Sequence, residues 1–374
     1  MSIIKPLRAL WRSLRADTFF LVLFAVLVLL SLADPSRMDS YPALVDWPTI
    51  AALTGLLVLT KGLEVSGAMH WLGRRLIGLM ATERAAALWL VVAAALLSTV
   101  LTNDVALFVV VPLTLGVCRI THMPATRLIV FEALAVNAGS TLTPIGNPQN
   151  IFLWQLSHVS FGEFVLHMLP LVALLIAVLL AVTAFAFSSR AIQTGDEKKH
   201  PPVRLDLPLL WVSLALYMPF LVATDMHHAP WAVLVVLLIF LAFSARVLAI
   251  LDWGLLLVFV LMFIDLRLLA SLSLVRDTLQ GLGLDQALNL YLTSVAASQI
   301  ISNVPAAIAL ADYANNWRVI AYGVNIGGFG LMVGSLANLI ALRMCSDRKA
   351  LLVFHAYSIP CRGIGAALGY AILF

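Results

Sequence analysis

The sequence predicts an all-α polytopic membrane protein made of two inverted repeats. Each repeat is expected to hold a re-entrant helical hairpin and a broken transmembrane helix, giving about nine spans plus two hairpins. Three observations carry this. The chain of 374 residues is 62% apolar and 11% charged, against roughly 45–50% and about 25% for soluble domains, and its mean hydropathy is +1.01. Many runs long enough to cross a bilayer carry no charge. Two islands rich in glycine, serine and asparagine, AVNAGSTLTPIGNPQNIFL from Ala135 and GVNIGGFGLMVGSLANLIAL from Gly323, match over a shift of 188 positions (325 − 137). Asn137 then falls on Asn325, Gly139 on Gly327, Gly146 on Gly334 and Asn150 on Asn338. Lipid penalises such residues, so a polar break present twice points to a site between repeats.

In chain order, Lys5, Arg8, Arg12 and Arg15 precede an apolar run at 18–33 with no clear A-x-A cleavage site after it. An uncleaved first helix with its basic end inside is expected. Further spans are expected at 48–66, 125–155, 163–187, 207–224, 230–246, 252–270, 318–342 and 351–373. The apolar stretches 84–118 and 288–312 carry polar tips near their middles, STVLTND at 98–104 and SQIISN at 298–303. Each arm is short for a tilted span, which predicts re-entrant hairpins.

Residues 1–190 then form the first repeat, with hairpin 84–118 and broken helix 125–155. Residues 191–229 are a linker and one extra span. Residues 230–374 form the second repeat, with hairpin 288–312 and broken helix 318–342. ValAspTrp at 45–47 and LeuAspTrp at 251–253 both begin spans, a shift of 206 (252 − 46) that also carries Lys61 onto Arg267. ThrAsn at 102–103 matches SerAsn at 302–303. The charged linker GDEKKHPPVR at 195–204 and the single span after it invert the second copy relative to the first.

The net charge of +4 does not indicate a nucleic-acid partner, because the basic residues lie at span ends rather than on one patch. With a cytoplasmic N-terminus, the inside loops carry Arg74, Arg75, Arg84, Arg119, Arg127, Arg190, Lys198, Lys199, Arg204, Arg246, Arg343, Arg348 and Lys349, and the outside loops only Arg37, Arg276 and Arg318. That bias sets orientation. Cys118, Cys345 and Cys361 lack metal or CxxC spacing and serve as small apolar filler.

Within 137–150, Gly139, Pro144, Gly146 and Pro148 cannot continue a regular helix. Lipid offers no hydrogen bonds, so the unwound backbone must be satisfied by protein or water. Freed carbonyls hold cations and half-helix N-termini hold anions. Asn137, Ser140, Thr141, Thr143, Asn147, Gln149 and Asn150 add polar side chains in the first copy, and Asn325, Gly328, Gly334, Ser335 and Asn338 form the second. Close helix packing by small residues would explain one island; two in register beside polar hairpin tips indicate a site.

At the tips, Thr102, Asn103 and Asp104 face Ser302, Asn303 and Val304 as counterparts. An ionised aspartate at membrane depth is costly, so Asp104 must face a cavity, pair with a cation or take up a proton. Asn103 or Asp104 is also expected to cap the second arm. Glu132, about one turn before the first island, is a buried acid or a proton relay. Lys61 with Glu64 has helical pairing distance, and Asp265 with Arg267 is expected to be a similar anchored pair. His167, His355 and Arg362 are expected to pack or snorkel. His227 and His228 give no metal signal. No Walker A loop, H-E-x-x-H or G-x-S-x-G is present, so an ion gradient rather than ATP is the expected drive and no cofactor or metal is expected.

LTNDVALFVVVP, NAGSTLTPIGNPQNIFLW, ISNVPAAIAL and VGSLANLIALR together resemble the arsenite-permease and NhaD antiporter branch of the ion-transporter superfamily, which also holds citrate and dicarboxylate carriers. The likeness is closest to bacterial inner-membrane permeases of the YbiR type. It covers nearly the whole chain and implies a midplane site where hairpins and broken helices meet. By that likeness Thr102, Asn103 and Asp104 match the first hairpin motif, Ser302 and Asn303 the second, and 144–150 and 334–338 the broken helices. Dicarboxylate carriers of the superfamily show Ser-Asn-Thr at both tips, whereas the third position here is Asp104 or Val304. A fixed carboxylate would repel a dicarboxylate by roughly 4 kcal/mol at about 4 Å for an effective dielectric near 20; protonation would remove that penalty.

These readings lead to an ion-coupled secondary transporter of the bacterial inner membrane. Its solute is a small anion or a neutral hydroxide such as arsenite, and Asp104 and Glu132 carry the coupling proton. A sodium–proton antiporter and a citrate-type carrier stay open, as does, remotely, an intramembrane enzyme, which would need a second facing acid. The expected partners are a small solute, a coupling proton or sodium ion and the lipid bilayer; dimers are common in the wider superfamily, so a homodimer is also a candidate.

Overall fold

A computed structural model describes residues 18–68, 71, 82–121, 123–192, 205–345, 347 and 349–374. Lys5, Arg8, Arg12, Arg15, Arg74, Arg75, Arg348 and the whole 195–204 linker lie outside the described residues. The described chain is built of helices, and no strand appears among them beyond one isolated bridge between Thr82 and Ala191.

Helix α1, Thr18–Ala33, ends at a bend of 120° into short turns over 35–44. Helix α2, Trp47–Val65, is followed by the first hairpin, α3 (Glu83–Val100) and α4 (Asn103–Thr121). The first broken helix is α5 (Ala125–Ser140), a tight turn at Pro144–Gly146, and α6 (Pro148–Ser157); α7 (Phe161–Ala186) completes this half. After α8 (Leu207–Asp225) and α9 (Ala229–Ala249), the same order of pieces recurs. Helix α10 (Trp253–Ser271) and the short α11 (Ser273–Gly281) precede the second hairpin, α12 (Ala287–Ile301) and α13 (Asn303–Ala311). The second broken helix is α14 (Trp317–Gly327), a turn at Met332–Gly334, and α15 (Leu336–Met344), and α16 (Ala350–Leu373) ends the chain.

Among the described residues, seven helices are long and apolar enough to cross a membrane: α2, α3, α7, α8, α9, α10 and α16. The chain is an all-α polytopic membrane protein. One expectation needs correcting. The first hairpin's first arm is not short: α3 has 18 residues, about 27 Å at 1.5 Å per residue, whereas the apolar part of the second arm, Asn103–Cys118, is too short to cross by itself. Thr82 caps α3 on the Ala85 amide at 3.1 Å, and α4 runs on past 118 to Thr121. The second hairpin fits the expectation better, with arms of 15 and 9 residues.

The two AspTrp corners are built alike. Asp46 and Asp252 accept from the amides of Thr49 and Leu255, satisfying orphan donors at the starts of α2 and α10. Trp47 and Trp253 each donate from the ring Nε1 to a carbonyl five residues back, Pro42 and Leu248, at 2.9 Å.

Each hairpin's first arm lies along the broken helix of its own half, α3 on α5 and α12 on α14. The second piece of each broken helix crosses over: α6 packs on α13 and α14, and α15 packs on α4 and α5. Close approach depends on two matched glycines. A Cβ at Gly139 would meet the Ala95 carbonyl and Ser98, and one at Gly327 would meet Ser298 and the Val295 carbonyl.

Candidate functional site

The crossing brings the two polar islands together in the interior. Asn137 Nδ2 donates to Asn338 Oδ1 at 2.7 Å, and Asn325 Nδ2 donates to Asn150 Oδ1 at 2.7 Å. These residues are counterparts under the 188-position shift, so one contact maps onto the other when the halves are exchanged. Ser335 Oγ donates to Asn137 Oδ1 at 3.1 Å, and its counterpart Asn147 donates to Asn325 Oδ1 at 3.0 Å. Asn150 Nδ2 donates to the carbonyls of Ser140, Thr141 and Thr143, while Asn338 Nδ2 donates to that of Gly328 at 2.8 Å.

Thr141 Oγ1 donates to the Asn137 carbonyl at 2.8 Å and approaches Asn325 Oδ1 at 3.3 Å. Ser140 Oγ donates to the Asn137 carbonyl at 3.2 Å, and Gln149 Nε2 also reaches Asn325 Oδ1, at 3.2 Å. All of these side chains are buried. The result is a neutral centre of amides and hydroxyls in which the carbonyls of Asn137, Ser140, Thr141, Thr143 and Gly328 find side-chain donors, as a lipid-embedded break requires, while Gln149 Oε1 is left without a partner.

The breaks are tied to the hairpins as well. Thr143 Oγ1 donates to the Thr99 carbonyl at 2.7 Å in the first half. At the corresponding place in the second, Gln299 Oε1 accepts from the Leu331 amide at 2.8 Å. Gly146 and Gly334 serve as spacers, because a Cβ there would run into the carbonyl of Ser140 or Gly327.

At the tips, Asn103 and Asn303 take their following amides, Asp104 N and Val304 N, at 3.0 Å each. Ser302 has a φ of +73°, an uncommon conformation for a residue with a side chain. Asn303 lies beside Gly328.

Among the described residues, no hydrogen bond joins Asp104 or Glu132 to the asparagine centre. Thr102 and Asp104 line a cavity of about 610 Å³ between α2, α4, α10 and α15, together with Lys61, Glu64, Asp252 and Arg343. Asp104 Oδ1 has no hydrogen-bond partner, and Lys61 pairs with Glu64 at 2.9 Å. Glu132 is fully buried and accepts from Thr114 Oγ1, leaving Oε2 without a partner.

Asp265 and Arg267 do not form the expected pair. They are two residues apart on a helix and so diverge; Arg267 meets Asp312 at 3.7 Å and the Leu44 carbonyl, while both oxygens of buried Asp265 lack partners. Gln299 and the α16 residues His355 and Ser358, which the sequence does not single out as site residues, bond the backbone of the second break. His355 Nε2 accepts from Met332 N and Ser358 Oγ donates to the Gly330 carbonyl. Their spacing of three on one helix face was a usable signal.

A family model described as citrate transporter (CitMHS) matches residues 8–318. The inner membrane protein YbiR of Escherichia coli (strain K12) is 46% identical over 364 residues, covering 97% of each chain. An uncharacterized transporter of Methanocaldococcus jannaschii is 31% identical over 338 residues, 88% of this chain and 90% of the other. A silicon efflux transporter, LSI3 of Oryza sativa subsp. japonica, is 33% identical over 135 residues, 36% of this chain and 28% of its own. With the matched model spanning most of its length and a near full-length relative at this identity, the chain belongs to the citrate transporter (CitMHS) family.

Proposed function

We propose that this protein is an ion-coupled secondary transporter of a small anion or neutral hydroxide, working by alternating access between two inverted repeats. It sits in the bacterial inner membrane with its N-terminus cytoplasmic. The observation that carries the reading is the reciprocal pairing of Asn137 with Asn338 and Asn325 with Asn150, because two broken helices meeting through matched polar groups form a centre that both halves share. The hairpin tips and broken helices enclose the solute, and Asp104, facing the cavity with an unpartnered oxygen, carries the proton, with Glu132 as the second acid.

The relative named as a silicon efflux transporter supports a neutral hydroxide. A citrate-type carrier is the second reading, favoured by the description of the family; a sodium–proton antiporter would use the same acid without the solute. Purified protein in proteoliposomes with a trapped pH dye, offered arsenite, citrate, sulfate or sodium, separates these. Asp104→Asn should leave the protein folded and remove the dependence of flux on the proton gradient. Proton movement in the variant equal to that of the wild type rejects the role of Asp104, and no flux of any solute by the wild type rejects the transporter reading.

A further inference from the structure

Helix α16 carries an arginine at its centre. Arg362 lies 12 residues after Ala350 and 11 before Leu373, about 18 Å and about 16 Å from the ends at 1.5 Å per residue. That is too deep for its stem to carry the charge to either interface. Among the described residues no acid pairs with it and no hydrogen bond involves it. A cation held at that depth is costly and marks a functional place.

Its surroundings define the place. His355, Ser358 and Arg362 fall on one face of α16, and this face meets the second break. Gly330 has a φ of +99°, and a Cβ there would press on Arg362 Cδ and on Gln299. The other polar side chains around the loop are already committed to its backbone. His355 takes the Met332 amide, Ser358 donates to the Gly330 carbonyl, and Gln299 bonds the Gly327 and Phe329 carbonyls and the Leu331 amide. The guanidinium alone is unspent.

The break is also open. Leu331 is 43% and Val333 is 51% exposed, whereas Ile145, inside the matching turn of the first half, is 3% exposed. The second break is thus less covered by protein than the first. The two halves differ in charge: the acid Asp104 occupies the first hairpin tip, whereas the second half has Val304 at its counterpart and the cation Arg362 beside its break.

We infer that Arg362 and the loop 329–332 form an anion-binding subsite in the second half, with the guanidinium as the group that selects a negatively charged solute over a neutral one. This rests on the transporter reading but is tested separately from it, by binding to the purified full-length protein in detergent. Thermal unfolding is followed while sulfate or citrate is titrated at fixed ionic strength, with arsenite as the neutral probe. Wild type should be stabilised by at least one of the two anions. Arg362→Gln should weaken that binding by about tenfold or more while arsenite acts on both proteins alike. Arg362→Lys, which keeps the charge but loses the planar fork, should fall between them; should Arg362→Gln aggregate, anion binding by Arg362→Lys equal to the wild type overturns the inference. So does equal anion binding by Arg362→Gln, or wild type that neither anion stabilises. Flux of a neutral solute by wild-type proteoliposomes would leave the transporter reading standing in each of those cases.

Discussion

The side-chain amide of Asn137 donates to Asn338 at 2.7 Å, joining residues 201 positions apart across the boundary between the two halves. Asn137 accepts from Ser335 at the same time, so both ends of its amide are satisfied by the opposite half. Nothing in water competes for these groups, because the whole set is buried.

Truncating any of the four asparagines strands a buried partner, which costs about 1–3 kcal/mol. Double-mutant cycles should give a coupling of roughly 1 kcal/mol between Asn137 and Asn338 and a similar value between Asn325 and Asn150. Asn150→Ala should be worse than Asn338→Ala, since Asn150 also serves three carbonyls. Chemical unfolding of the purified protein measures this; zero coupling in both cycles would show that the pairs are not formed.

Gly139→Ala and Gly327→Ala should each destabilise by about 1–3 kcal/mol through overpacking, because the added Cβ meets the facing arm of the hairpin. Gly116→Ala, where nothing lies within 4 Å, is the control and should be neutral or mildly stabilising. Equal melting shifts at all three positions would remove the close approach from the account.

The cavity beside Asp104 should admit a hydrophilic maleimide. In a background lacking the three native cysteines, Leu339→Cys, on the cavity wall, should react in the folded protein, and Ala138→Cys, fully buried, should not. Mass spectrometry of the intact protein reads both. An unreactive Leu339→Cys would mean that the cavity is closed to water.

Asp265 is 1% exposed and neither oxygen finds a donor. A buried polar group without partners is a net cost, so Asp265→Leu should raise the melting temperature of the detergent-solubilised protein by a few degrees (about 1–2 kcal/mol). A fall in stability would mean that Asp265 has a partner in the folded state.

Much of this architecture was legible in the sequence because membrane breaks are written in residue types that lipid rejects. Gly139, Gly146, Asn147 and their counterparts marked the broken helices, and ThrAsn and SerAsn marked the hairpin tips. The AspTrp corners were visible as repeats and are built alike. What the sequence withheld was partnership. Asn137 aligns with Asn325 yet bonds Asn338, since alignment reports equivalence and only packing decides contact. Lys61 and Arg267 also align, but one pairs along its own helix and the other with Asp312. Arg362 has the side chain of a residue that snorkels, and only its place at the middle of α16, beside Gly330, keeps it from the interface.

The exchange symmetry of the asparagine centre gives it the character of an isologous interface, the kind two identical subunits make when each offers the other the same patch. Here both patches are on one chain. A lesion at Asn137 should therefore be repaired by a change at Asn338, in the opposite half, and never by a matching change at Asn325. Suppressor mutations would be found in trans within a single polypeptide, as though the protein were still a dimer whose subunits had been fused.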